Sequence, residues 1–308
     1  MTANPFYQRD LLSSKDIGLN EINLILSTAQ KMKATSFAKS LTDKIIAHCF
    51  FEPSTRTRLS FEAAALRLGA QNIGFANKDV LSIQKGETLH DTMRMIDEYA
   101  DLIVIRHPKE GAAALAAQIA KHPVINAGDG ANQHPTQALI DLFTIQECQS
   151  RIDGLSMALV GDLKFARTIH SFTQLCSLYD VRLYFVSPSS LSLPDALCDD
   201  LKKRGLPFSF HHTLEEIIPK VDILYLTRIQ QERFNVGDYE WVNSPFTLTT
   251  SLLQKAKSNL KILHPLPRVD EIAREVDHTP FAYYFEQASN GVCVRQALLH
   301  LILNKVAL

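Results

Sequence analysis

The chain has no cysteine pair to staple it and no cysteine–histidine grouping to hold a structural metal. Its five cysteines, Cys49, Cys148, Cys176, Cys198 and Cys293, are scattered, without a CxxC spacing. That excludes a disulfide framework and a zinc-finger-like site, and leaves buried free thiols. An excess of either charge is missing too: 32 Lys and Arg stand against 33 Asp and Glu, a net charge of -1. No global field is available to hold nucleic acid or an anionic membrane, so any basic function is local. The first residues, Met1-Thr2-Ala3-Asn4-Pro5-Phe6-Tyr7, lack the cationic-then-apolar order of a secretion signal, and no later apolar run reaches bilayer-spanning length. A cytoplasmic location is expected. Low-complexity tracts, internal repeats and linkers rich in Pro, Gly or Ser are absent as well. What remains is 308 residues, 46% apolar, enough for one large domain or, better, two.

Ile22, Ile25, Leu26, Ala29 and Met32 fall on one face of a first helix that closes on Lys31 and Lys33. Short apolar runs then recur at 45–51, 102–105, 124–127, 157–160, 183–186, 223–226 and 262–263, each read as a buried strand. Helix-like stretches at 58–68, 111–119, 135–147 and 166–178 lie between them. The alternation predicts an α/β architecture with largely parallel sheets. The polar stretch Gln149-Ser150-Arg151-Ile152-Asp153-Gly154 interrupts it and is the best candidate boundary. The last apolar helix, 294–303, is expected to pack back on the first half.

Chemistry concentrates just past the strands. In Ser54-Thr55-Arg56-Thr57-Arg58 a buried strand passes through Glu52 and Pro53 into hydroxyls and guanidiniums at a helix start. Free backbone N–H groups, hydroxyl donors and a fixed charge are what a phosphate needs. A lone serine there would be read as a cap, but three hydroxyls and two arginines in five residues favour the anion. Arg106 follows the next strand, and His134 and Gln137 follow the third. Parallel sheets place ligands at strand carboxyl ends, where these three could jointly orient a carbonyl group. The polar segment with Ser82 and Lys85, between Phe75 and a helix-like run from Leu89 onward, reads, alone, as a loop. The second half adds Lys164, Arg167 and Thr168, then Arg228 and Gln230, then His264-Pro265-Leu266-Pro267-Arg268, each after its own strand. Val160-Gly161-Asp162 has the start of a dinucleotide-binding turn without the GxGxxG spacing, which argues against a nicotinamide site.

Together, Ser-Thr-Arg-Thr-Arg, His-Pro-Thr-Gln and His-Pro-Leu-Pro-Arg, in that order along nearly the whole chain, resemble the aspartate/ornithine carbamoyltransferase family. The resemblance implies two three-layer α/β/α domains. Residues 1–135 with 290–308 would bind carbamoyl phosphate, and residues 136–289 would bind aspartate. It implies that Ser54, Thr55, Arg56 and Thr57 hold the phosphate, while Thr55, Arg106 and His134 polarise the carbamoyl oxygen. Gln137 and the backbone carbonyls of Pro265 and Leu266 would hold the carbamoyl amine. Arg167, Thr168, Arg228 and Gln230 would grip the acceptor's carboxylates. Ser82 and Lys85 would reach a neighbouring subunit's site in a homotrimer. The implied reaction transfers the carbamoyl group to the amine of L-aspartate, in de novo pyrimidine biosynthesis, with no cofactor or metal.

Within the family, ornithine as acceptor is disfavoured. Its cationic end would meet Arg228, and the ornithine enzymes carry cysteine where this chain has Pro265. The segment Gln231 to Thr250, with Arg233 and Tyr239, resembles the form that pairs with a separate zinc-containing regulatory chain. A catalytically silent relative and a dehydrogenase are the competing readings from other classes.

Overall fold

The computed structural model describes residues 4–35, 39–76, 85–230 and 247–306. Ser82 and most of the segment from Gln231 to Thr250 lie outside the described residues. The chain divides into two compact units, Met1–Phe143 with Ser289–Leu308, and Thr144–Ala288.

The first unit runs α1 (Leu19–Ala34), β1 (Ile45–Phe50), α2 (Thr55–Arg67), β2 (Gln71–Phe75), α3 (Leu89–Asp97), β3 (Leu102–His107), α4 (Ala112–Ile119) and β4 (Val124–Asp129). Its four strands pair in parallel, in the order β2-β1-β3-β4. Parallel crossovers are right-handed, so the connection that moves outward from β1 to β2 lies on one face, and the two that move the other way lie on the opposite face. Accordingly α3 and α4 pack on each other. Alternate residues of β1 and β3 (Ala47, Cys49 and Phe51; Ile103 and Ile105) bury one sheet face with Met93, Ala113 and Ala116 of those helices.

Helix α5 (Pro135–Gln149) carries the chain onward. The second unit then runs β5 (Ser156–Val160), α6 (Arg167–Cys176), β6 (Arg182–Val186), α7 (Asp195–Lys203), β7 (Phe208–His211), β8 (Ile223–Leu226) and β9 (Lys261–Leu263). These five strands are also parallel, in the order β7-β6-β5-β8-β9. Ala158, Val160, Leu224, Leu226 and Ile262 pack there with Ile217, Ile218 and Leu253.

Finally α8 (Tyr284–Leu303) begins ten residues earlier than its apolar stripe predicts, and its later turns belong to the first unit. Its Ile302 carbonyl accepts the Gln8 N–H at 2.9 Å, and Asn290 accepts from Lys33 at 2.7 Å. No helix among the described residues is long and apolar enough to cross a membrane.

Among the described residues, two strands and one α-helix escaped the sequence reading. Strand β2, Gln-Asn-Ile-Gly-Phe, is largely exposed and carries no apolar run. Gly74 makes its pairing possible: at φ +139° a Cβ there would stand 2.2 Å from the His48 carbonyl oxygen of β1. Strand β7 spans only four residues. Helix α7 buries only Cys198 and Leu201, although Asp195 in its first turn and Lys202 and Lys203 in its last suit the helix dipole.

Candidate active site

In an open parallel sheet the crevice for ligands opens where successive connections leave in opposite directions. The first unit has that switch between β1 and β3, the second between β5 and β8. Every described residue singled out for chemistry follows one of these strands or its neighbour, except Lys85 and Arg106, which the longer β3 takes in as its penultimate residue rather than leaving it past the strand's end.

After β1 the chain passes Pro53, and Ser54 takes the N-cap position of α2 in an extended conformation, φ -158°. Its side chain makes no capping hydrogen bond, and no acidic residue occupies the first turn. The first main-chain bond back is from the Arg58 N–H to the Ser54 carbonyl, 3.3 Å. The N–H groups of Thr55, Arg56 and Thr57 therefore precede the helical ladder, at the positive end of the helix. Arg58 is turned aside into an ion pair with Glu62, 2.6 Å. Of the two arginines, Arg56 is the one left beside the helix start.

Arg106 stands opposite Phe50 in the β1–β3 register, and its guanidinium donates to Glu52 at 2.7 Å. His134 is buried immediately ahead of α5. Its Nδ1 lies 3.4 Å from the Thr136 hydroxyl. Gln137 donates to Asp141 at 2.8 Å. The loop that delivers His134 is organised by Asp129, whose carboxylate accepts from the Gly111 and Gln133 N–H groups and from the Asn126 and Asn132 side chains, 2.9–3.2 Å. Lys85 is exposed, ahead of Thr88, which caps α3 by accepting the Asp91 N–H.

In the second unit Asp162 joins two loops. Its carboxylate accepts the N–H groups of Lys164 and Phe165, which lead into Arg167, and that of Gln230, two residues past Arg228, at 2.9–3.3 Å. Burial pushes its pKa up, against the pull of those donors. Arg167 is buried as the first residue of α6, Thr168 is half-buried behind it, and the Arg228 guanidinium is half-buried, 3.4 Å from the Ile229 carbonyl. Gly161 permits the approach of β5 and β8 at this point: a Cβ on it would stand 2.2 Å from the Thr227 carbonyl oxygen, at φ +110°. Pro265 and Leu266 follow β9, half-buried, with Leu266 at φ +57° and a cis peptide to Pro267.

Residues 9–147 match the family model described as the aspartate/ornithine carbamoyltransferase carbamoyl-P binding domain, and residues 153–302 match the model of its Asp/Orn binding domain. The chain belongs to this family. Curated carbamoyltransferases agree along the full length. The aspartate carbamoyltransferase catalytic subunit of Chromobacterium violaceum is 52% identical over 299 residues, 97% of this chain and 99% of its own. That of Vibrio campbellii is also 52% identical, over 98% and 99%. Among solved carbamoyltransferases, the Trypanosoma cruzi enzyme in complex with carbamoyl phosphate and aspartate superposes with a TM-score of 0.94 at 35% identity, covering 98% of each chain. The catalytic subunit from M. jannaschii gives 0.87 at 47% identity, covering 95% of this chain and 97% of its own.

What the carbamoyltransferase signatures leave unmarked are the carboxylates that hold the cations and loops. Glu52, Asp129, Asp162 and Glu271 were not assigned roles from sequence. An acidic residue within two positions of a strand's end, at Glu52, Asp129 and Asp162, is the signal that would have found three of them.

Proposed function

We propose that this chain transfers the carbamoyl group of carbamoyl phosphate to the amine of L-aspartate, giving N-carbamoyl-L-aspartate and phosphate, the cytoplasmic step that commits the product to pyrimidine biosynthesis. The observation that carries the proposal is the chemistry of the two switch points. One presents a helix start with hydroxyls and Arg56, suited to a phosphate, and the other presents Arg167 and Arg228, suited to a dicarboxylate. The related T. cruzi enzyme forms a complex with both substrates, carbamoyl phosphate and aspartate.

In this reading the first unit takes carbamoyl phosphate on Ser54, Thr55, Arg56 and Thr57. Thr55, Arg106 and His134 donate to the carbamoyl oxygen. The aspartate amine attacks the carbamoyl carbon, a C–N bond forms, and negative charge collects on that oxygen until the C–O bond to phosphate breaks. Donors set in place beforehand stabilise this oxyanion, and losing one typically costs about 3 kcal/mol. The attacking amine must be neutral, yet its unperturbed pKa is about 7.7–8.0. The departing phosphate takes the proton released as the C–N bond forms. Gln137 and the carbonyls of Pro265 and Leu266 hold the carbamoyl NH2. Arg167, Thr168, Arg228 and Gln230 grip the two carboxylates of aspartate.

A colorimetric assay for the ureido group of the product, run with aspartate and then ornithine, tests the reaction. Turnover with aspartate and none with ornithine is expected. Binding of carbamoyl phosphate by calorimetry without turnover would establish a silent relative instead. The working unit we propose is a homotrimer in which Lys85 serves the neighbouring chain. Mixing inactive Lys85→Ala chains with inactive Arg106→Ala chains is expected to restore part of the activity. No recovery after verified subunit exchange would place Lys85 in its own chain's chemistry. A zinc-containing regulatory chain is the further partner we propose, on the likeness of residues 231–250, and the mass of the complex purified from its native cell tests it.

A further inference from the structure

The residue that begins the His-Pro-Leu-Pro-Arg motif has no role in the reading above, yet its geometry is fully specified. His264 is 1% exposed. Its Nδ1 lies 2.8 Å from the Leu266 backbone nitrogen, and its Nε2 lies 2.6 Å from Glu271 Oε1. A backbone N–H can only donate, so Nδ1 must offer its lone pair and the ring proton must sit on Nε2, pointing at the carboxylate. The other Glu271 oxygen accepts the N–H groups of Val269 and Asp270, each at 3.0 Å. Burial raises the Glu271 pKa, but the His264 and backbone hydrogen bonds outweigh it and hold the carboxyl below its ordinary range. The His264 N–H is itself anchored on Gln287 Oε1, 2.8 Å.

The consequence follows from the planarity of the peptide group. The Leu266 N–H and the Pro265 C=O belong to one trans peptide, so they point in opposite directions. An acceptor that draws the N–H inward therefore turns the Pro265 carbonyl outward. Leu266 sits in the left-handed region at φ +57°, unfavourable for a residue with a Cβ, and needs such an anchor to persist.

We propose that His264 is a positioning residue for catalysis, aiming the Pro265 carbonyl at the carbamoyl NH2 through its Nδ1 hydrogen bond, with Glu271 selecting the tautomer. The proposal rests on the carbamoyl-transfer reading for the role of that carbonyl.

Two substitutions separate the two ring nitrogens. His264→Asn places an amide oxygen near the position of Nδ1 and can still accept the Leu266 N–H. His264→Gln reaches the position of Nε2, keeping the Glu271 contact and abandoning Leu266. The expected result is a kcat within about tenfold of wild type for His264→Asn, and on the order of 100-fold lower for His264→Gln. The KM for aspartate should change less than about threefold in both. A structural role through the buried His–Glu pair predicts the reverse order, because only His264→Gln preserves that pair. The reverse order, or equal losses in two variants of native melting temperature, overturns the proposal.

Nitrogen-15 histidine spectra of the wild-type enzyme, with the His264 signal assigned by its loss in His264→Asn, provide a readout independent of activity. A neutral ring protonated on Nε2 is expected, and protonation on Nδ1 overturns the proposal. Should the wild-type chain fail to make carbamoyl aspartate, the functional reading falls, while the spectra still decide the tautomer.

Discussion

In the function we propose, the two sheets meet the same problem, binding an anion at a topological switch point, with different chemistry. In the first unit the positive end of α2 supplies backbone donors, and Arg56 adds a charge beside them. In the second, guanidiniums at Arg167 and Arg228 take over, on loops tied together by Asp162. The difference matches the ligands. A phosphate is compact and accepts bonds from many directions, as N–H groups around a helix start provide. A carboxylate is planar with two oxygens side by side, the partner of a guanidinium fork. The first mode is built into the backbone, whereas the second depends on a buried carboxylate to hold the side chains' loops.

Lysine exchange tests that contrast most directly. A point charge suffices near a phosphate but cannot reproduce a fork, so Arg228→Lys is expected to lower kcat/KM for aspartate by about 100-fold. Arg56→Lys should lower kcat/KM for carbamoyl phosphate by only about tenfold. Equal losses in steady-state kinetics would erase the distinction.

Glycine exchange probes how rigidly the second switch point is built. Gly161→Ala sets a Cβ against the Thr227 carbonyl and should destabilise by at least about 2 kcal/mol. Gly154→Ala, also at positive φ but with open space around it, should cost about 1 kcal/mol. Denaturant melts of the two variants give the comparison, and similar midpoints would show that the strand contact yields easily.

Asp162→Asn removes one of the acceptors that tie the Arg167 and Arg228 loops. An approximately tenfold rise in the KM for aspartate is expected, with carbamoyl phosphate binding by calorimetry unchanged. A matching loss of carbamoyl phosphate affinity would deny the separation of roles between the units.

Acid stability draws on the opposite, amino-terminal ends of strands β5 and β8 in the second sheet. There Asp222 accepts from the Ser156 N–H, Lys257 and Asn259 at 2.9–3.0 Å. Burial raises its pKa, but these partners outweigh it and hold the carboxyl below 3.8. A carboxyl whose folded pKa is depressed stabilises fully above its unfolded value, and that contribution is lost as pH falls through the folded value. Wild type should therefore lose stability more steeply than Asp222→Asn below about pH 4. Parallel acid-denaturation curves would remove Asp222 from the account.

The smallest effect belongs to Arg58. Its pair with Glu62 lies on a helix surface, so Arg58→Ala should cost about 0.3–0.5 kcal/mol and leave kcat unchanged. A loss of turnover would return Arg58 to the phosphate site.

Much of this arrangement was legible before any fold was known. Parallel strands buried on both faces appear as apolar runs, so β1, β3, β4, β5, β6, β8 and β9 stood out, and the candidate site residues at or just past their ends followed. Strand β2 carried no such signal because it is exposed and is admitted by Gly74. The pairing of Arg106 with Glu52 was equally hidden, because it joins residues from the ends of two strands adjacent only in the sheet.

The sequence by itself determined which groups are available and where they fall along the chain: hydroxyls and Arg56 at a helix start, arginines past strands, and a proline-bounded turn after β9. Local spacing and backbone preference suffice for that, since each is set within a few residues. Only the tertiary structure decided which of them are held, and how. Strand order brings Asp162 to the Gln230 N–H across 68 residues of chain, and the hydrogen bonds to Leu266 and Glu271 fix which nitrogen of His264 carries its proton. Those are properties of neighbours in space, set by parallel pairing and by the folded loop after β9 rather than by residue type alone.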